Sequence, residues 1–196
     1  MPVRNGATGR NLNMNPSPLP PLVVMGVSGC GKSTIGSLLG ERLGIPFQDG
    51  DDLHPAANKA KMGAGIPLDD SDRQPWLEEI GRTLRASAEQ GTPAIIACSA
   101  LKRSYRDLLR SHVPDIVFVH LNGDRGTLLE RMNARDHEFM PSSLLDTQLS
   151  TLEPLGQDEK HILADITLTP TSLVESLCDQ LAVRTLAVGP AFNNGR

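Results

Sequence analysis

Residues 26–33 read Gly26-Val27-Ser28-Gly29-Cys30-Gly31-Lys32-Ser33, which satisfies G-x-x-x-x-G-K-[ST] at every fixed position. The run just before it, Leu22-Val23-Val24-Met25, is apolar and of β type, and from Lys32 onward Ile35, Leu38, Leu39 and Leu43 recur at helical spacing. A strand, a glycine-rich turn and a helix start give this spacing its physical meaning. The glycines permit close approaches and backbone conformations that a side chain would block. Successive N–H groups can then turn toward a phosphate chain at the helix N-terminus, where the dipole favours negative charge. On this reading Gly26, Val27, Ser28, Gly29, Cys30, Gly31, Lys32, Ser33 and Thr34 form a nucleotide phosphate site. Lys32 reaches the β and γ phosphates and the Ser33 hydroxyl ligates magnesium. Cys30 fills a variable position and is no nucleophile.

Outward from this loop, short β-type runs alternate with longer segments of helical period. Strands are expected over 22–25, 46–48, 94–97, 116–119 and 166–168. Helices are expected over 32–43, over 73–89 behind a cap at Ser71 or Asp72, over 124–135, from Ser142 or Ser143 to Leu152, and over 172–184. That alternation predicts an α/β fold, a five-stranded parallel sheet with helices on both faces. Residues 1–20 are rich in Asn, Gly and Pro and read as a flexible arm, 21–186 as one domain, and 187–196 as a loose tail.

Composition narrows the class. With 39% apolar and 21% charged residues in 196, the chain can bury a core without covalent staples. No apolar run reaches the roughly 18–20 residues of a membrane span. Three cysteines, Cys30, Cys98 and Cys178, are an odd number far apart in sequence, which disfavours a disulfide framework or zinc site and fits a reducing cytoplasm. A net charge of −4 and only six aromatic residues (Trp 1, Tyr 1, Phe 4) argue against a nucleic-acid partner.

Among nucleotide-binding classes, a GTPase is excluded because no Asp has Gly three residues later and Asn58-Lys59-Ala60-Lys61 ends in Lys where a guanine reader needs Asp. The run Ala94-Ile95-Ile96-Ala97 leads into Cys98-Ser99 rather than a Walker B carboxylate. The second strand is the one that ends in carboxylates, Asp49-Gly50-Asp51-Asp52, and strand ends on the phosphate-loop side are where ligands bind in such sheets. Phosphoryl transfer to an alcohol needs one carboxylate near the metal and another to align the hydroxyl and accept its proton. Asp49 is assigned the first role, Asp51 the second, and Asp52 is a spectator.

Taken in order, several stretches resemble the thermoresistant gluconate kinases (gluconokinases), P-loop small-molecule kinases related to shikimate and adenylate kinases. They are Gly26 to Thr34, Asp49-Gly50-Asp51-Asp52-Leu53-His54-Pro55, Asn58-Lys59 with Lys61-Met62, Gly65-Ile66-Pro67-Leu68 with Asp70, Asp72-Arg73 with Pro75-Trp76-Leu77, Cys98-Ser99-Ala100-Leu101-Lys102, Tyr105-Arg106-Asp107-Leu108-Leu109-Arg110, Phe139-Met140-Pro141, Gln148-Leu149 and Leu152-Glu153-Pro154. The resemblance implies a P-loop NTPase three-layer α/β/α sandwich of nucleoside-monophosphate-kinase type with a lid over about 133–142. It implies ATP-dependent phosphorylation of D-gluconate at the 6-hydroxyl with Mg2+, commonly by a homodimer. It further implies Lys32, Asp51 and Arg135 in catalysis, with Arg131 on adenine and Arg135 on phosphate. The far wall of the adenine pocket is expected near Thr169 and Pro170.

A polyol carboxylate needs cations and fixed polar groups. His54, Lys61, Arg73, Lys102 and Arg106 are the candidates beside Asp51, while Trp76 is read as core packing. The lid departs from the family pattern, with Arg135-Asp136-His137-Glu138-Phe139 where Arg-x-Gly-His-Phe is usual, so His137 receives no catalytic role. A shikimate-type or nucleoside monophosphate kinase shares the fold but not the D-G-D-x-L-H-P signature. A non-catalytic ATP-binding module is the rival from another class, and the coexistence of Ser33 with Asp49 and Asp51 counts against it.

Overall fold

Leu22, Val23, Val24 and Met25 are all buried, which is what a strand covered on both faces requires. In the computed structural model these residues form β1 (Leu22–Met25), and the structure describes residues 19–133 and 142–187. The arm up to residue 18, the lid residues Arg135, His137 and Glu138, and the tail from 188 lie outside the described residues. Four further strands, β2 (Phe47–Asp49), β3 (Ile95–Ala97), β4 (Val117–Asn122) and β5 (His161–Asp165), join β1 in one sheet of order β2-β3-β1-β4-β5. Every pairing is parallel, with Val24 opposite Ala97 and Val119.

Alternation along β1 divides the core in two. Leu22 and Val24 pack on one face with residues of α1 (Lys32–Leu43), α5 (Arg125–Asn133), α6 (Ser142–Thr151) and α7 (Pro170–Ala187). Val23 and Met25 pack on the other with α3 (Asp70–Glu89) and α4 (Arg103–His112). A 3-10 turn, Gly50–Leu53, and α2 (Ala56–Gly63) follow β2. α1 lies close on β2 because Gly36 and Gly40 face it: a Cβ at Gly36 would fall 2.3 Å from the Phe47 ring, and one at Gly40 2.9 Å from the Ile45 carbonyl.

Several expected boundaries are corrected. The second strand starts and ends one residue later, which places Asp49 at its end. The cap of α3 is Asp69, not Ser71 or Asp72: its side chain accepts from Asp72 N at 2.9 Å while Asp72 accepts from Asp69 N at 3.1 Å, a reciprocal capping box. The last strand is 161–165 and not 166–168. It is an edge strand in which Ile162 and Ala164 face the core and Leu163 is 59% exposed. Ile166 is buried just past the strand, where Asp165 accepts from Thr167 N at 2.9 Å and turns the chain. α7 begins at Pro170, a first-turn position that needs no N–H donor.

Candidate active site

The loop between β1 and α1 takes its shape from three glycines in the left-handed region, Gly26 (φ 139°), Gly29 (φ 81°) and Gly31 (φ 99°). Gly26 also has no room for a side chain, since a Cβ there would meet Cys30 Sγ and the Leu121 carbonyl at 2.9 Å. The first-turn N–H groups of α1 lack intrahelical acceptors and are directed at the loop. Lys32 reaches back across it, its Nζ donating to the carbonyls of Gly26 (3.1 Å) and Val27 (3.0 Å). Arg131, from α5, donates to the Ile166 carbonyl after β5, with its guanidinium 3.7 Å from the Cβ position of Gly31. It therefore joins the phosphate loop to the turn that leads to Thr169 and Pro170.

On the other side of the loop, Ser33 Oγ donates to Asp49 Oδ2 at 2.5 Å, while Asp49 Oδ1 accepts from Asp51 N at 3.1 Å and caps the 3-10 turn. Two hard oxygen donors from separate elements thus converge beside the loop, the donor type that suits magnesium. The turn admits only glycine at its centre, because a Cβ on Gly50 would lie 2.2 Å from the Ala97 carbonyl. Asp51 projects into the cleft with its side chain 83% exposed. Crowding by the cleft walls, then the Asp49 charge, raise its carboxyl above the usual carboxylate range against the pull of Lys32.

The five candidate cations separate by their partners. Lys61 Nζ sits on both oxygens of Asp72 (2.6 and 2.7 Å), and Lys102 Nζ on both oxygens of Asp70 (2.7 Å each), where Tyr105 OH also donates. Those hydrogen bonds raise both lysines above the usual range. The Arg73 guanidinium is half-buried, makes no hydrogen bond or ion pair among the described residues, and acts electrostatically on Asp51 and His54. His54 is withdrawn from the open cleft: its side chain is 3% exposed and its ring stacks on Trp76.

Arg106 requires correction as a substrate residue, for it is wholly buried. Its Nε donates to Glu159 Oε1 at 2.6 Å, and its remaining nitrogens reach Glu159 Oε2 and the carbonyls of Ala100, Leu101 and Pro154 at 3.0–3.2 Å. It holds the 98–102 loop, in which Ala100 adopts φ 46°. Cys98 in the same loop is inert, its thiol pushed up to about 12 by burial.

Gln148 lies in a stretch that matches the family, but the sequence reading gives it no site role. From α6 it accepts from Ser28 N at 2.6 Å and donates to Ser28 Oγ at 3.0 Å, so the helix that follows residues 134–141 is bonded to the phosphate loop. The available signal was a polar residue in line with Leu145, Leu149 and Leu152 on a core-facing stripe. With each of the two bonds worth roughly 1 kcal/mol net, Gln148→Leu is expected to weaken ATP binding by up to about thirtyfold. Nucleotide titration of the variant checks this, and an unchanged affinity would leave the clamp without a role in nucleotide binding.

The chain is similar to known proteins. A family model described as shikimate kinase matches residues 28–181, from the phosphate loop into α7. A gluconokinase of Gluconobacter oxydans (strain 621H) is 49% identical over 156 residues, covering 80% of this chain and 88% of the relative. The thermosensitive gluconokinase of Escherichia coli (strain K12) is 46% identical over 141 residues, 72% of this chain and 75% of the relative. Among solved structures, a gluconokinase from Sinorhizobium meliloti 1021 superposes with a TM-score of 0.80 at 44% identity, over 87% of this chain and 96% of that one. Identity at this level, sustained over most of the chain, shows that the chain belongs to the gluconokinase family within the shikimate-kinase group of P-loop kinases.

Proposed function

We propose that this protein is an ATP-dependent gluconokinase, transferring the γ-phosphoryl group of ATP to the 6-hydroxyl of D-gluconate to give 6-phospho-D-gluconate and ADP. The observation that carries the reading is the junction of the two loops, where Ser33 and Asp49 meet at 2.5 Å and Asp51 stands two residues on, facing the cleft. The gluconokinase relatives, at 46–49% identity, support the acceptor.

The protein's own groups divide the work. The backbone of residues 26–34 cradles the phosphates, with Arg131 on the adenine side. Lys32 neutralises charge on the moving group, and Arg135 of the lid adds a second cation there. Ser33 and Asp49 would hold the magnesium ion, which when bound spreads charge over the phosphate oxygens. Asp51 aligns the 6-hydroxyl and accepts its proton, and its raised affinity for protons suits a general base. Arg73, half-buried and without a hydrogen-bonding partner among the described residues, is the cation best placed to receive the gluconate carboxylate. Lys61 and Lys102, each already on a carboxylate of the first turn of α3, border the same side of the cleft. A homodimer acting in the cytoplasm completes the reading. It is supported by the family resemblance; among the described residues no helix is long and apolar enough to cross a membrane.

ADP release from Mg-ATP with D-gluconate, shikimate, AMP or no acceptor tests the reaction. Stimulation by gluconate alone is expected. Stimulation by shikimate or AMP would reassign the acceptor, and ATP binding without any stimulation would favour the non-catalytic module.

A further inference from the structure

The contact at His54 Nδ1 decides where the ring carries its proton. The Asp72 backbone carbonyl can only accept, so the Asn58 group 2.7 Å from it is the side-chain amine. The second hydrogen of that amine faces His54 Nδ1 at 3.3 Å. Nδ1 must then be the acceptor, and the ring proton sits on Nε2. That atom lies 3.8 Å from Asp51 Oδ1, beyond hydrogen-bond length but within reach of a small rotation of the exposed carboxylate.

The ring plane is fixed as well. Trp76 stacks on it with centroids 4.1 Å apart and planes at 15°, and the same indole donates Nε1–H to the Gly50 carbonyl at 2.7 Å. One tryptophan therefore clamps the histidine and the Asp49–Asp51 turn together. Asn58 is buried, so its amine is not shared with solvent.

We infer that His54 is a positioning residue for Asp51: its Nε2–H, fixed by Asn58 and Trp76, holds Oδ1 and leaves Oδ2 as the oxygen that takes the acceptor's hydroxyl proton. This rests on the kinase reading above. The proton of the alcohol passes to Asp51 Oδ2, and His54 keeps its own throughout. Burial, with Arg73 and Lys59 nearby, lowers the ring to about 4, so it stays a neutral donor. A direct contact between His54 and the sugar acid would require an open face, which the 3% exposed side chain does not supply.

The test measures kcat and KM for His54→Phe, which keeps a ring on Trp76 but removes the donor, and for His54→Gln, whose terminal amide stands where Nε2 does. Each is made alone, and His54→Phe also in an Asp51→Asn background. Expected for His54→Phe is a fall in kcat of about 10- to 100-fold with KM for gluconate unchanged, substantial recovery in His54→Gln, and no further loss beside Asp51→Asn, because the two residues act as a unit. Asn58→Ala, which leaves the ring but frees its tautomer, is expected to lower kcat in the same direction and serves if the phenylalanine variant does not fold. A raised KM with intact kcat, losses that multiply in the double variant, or an unchanged kcat in Asn58→Ala would overturn the assignment. Near-normal turnover in Asp51→Asn would instead remove the base itself, and this inference with it.

Discussion

Asp51→Asn is expected to lower kcat by about 10²- to 10⁴-fold, the range a positioned general base contributes, while ATP affinity stays close to wild type. The asymmetry follows from geometry. Asp51 touches none of the loop that cradles phosphate; its backbone N–H bonds to Asp49, and its carboxylate projects into the cleft. Asn preserves the size and the turn but cannot accept the hydroxyl proton. Acceptor-dependent ADP release paired with nucleotide titration separates the two quantities. Loss of ATP binding alongside turnover would show that the substitution had instead disturbed the Ser33–Asp49 contact.

Arg106→Leu is expected to cost about 3–5 kcal/mol, the penalty for leaving one member of a buried ion pair uncompensated. Against a total of roughly 5–15 kcal/mol for a domain, that is at least about a fifth of its stability. Burial works against the Glu159 carboxylate, but the Arg106 fork and the Gly156 N–H outweigh it and hold it below the usual range. Without the arginine, Glu159 and the carbonyls of Ala100, Leu101 and Pro154 all lose a donor in the interior. Ala100, at φ 46°, then has less to keep it in a conformation that L-residues avoid. Urea unfolding measures the loss, and a change below about 1 kcal/mol would mean that solvent enters and satisfies the site.

The phosphate loop and the parallel sheet were legible because their signals are local: eight residues in one turn, flanked by a fully apolar strand and a helix with regular spacing. The placement of Asp49 at a strand end was legible for the same reason, apart from one residue of register. Partner choice was not. The motif containing Arg106 looks like a row of surface charges, and only the fold brings Glu159 to it across 53 positions. A hint existed, since Arg106 lies beside Tyr105 and three residues before Leu109, both buried on the inner face of α4. Asp70 and Asp72 likewise claim Lys102 and Lys61 only after α3 is folded against its neighbours. The edge strand was misplaced because one of its faces is open, so Leu163 is apolar without being buried, while Ile166 is buried without being in the strand.

The bare glycine face of α1 bears on the contact between the two loops. Ser33 belongs to the helix and Asp49 to the strand, so the distance between them depends on how closely the two elements ride together. Gly36 and Gly40 let the backbone of α1 settle against Phe47 and the Ile45 carbonyl with no side chain between. A methyl group at either position would act as a shim, lifting the helix and drawing Ser33 away from Asp49 although neither of those residues had changed. The meeting of Ser33 with Asp49 is in this sense calibrated one to two helical turns away, in the thickness of a helix–strand seam.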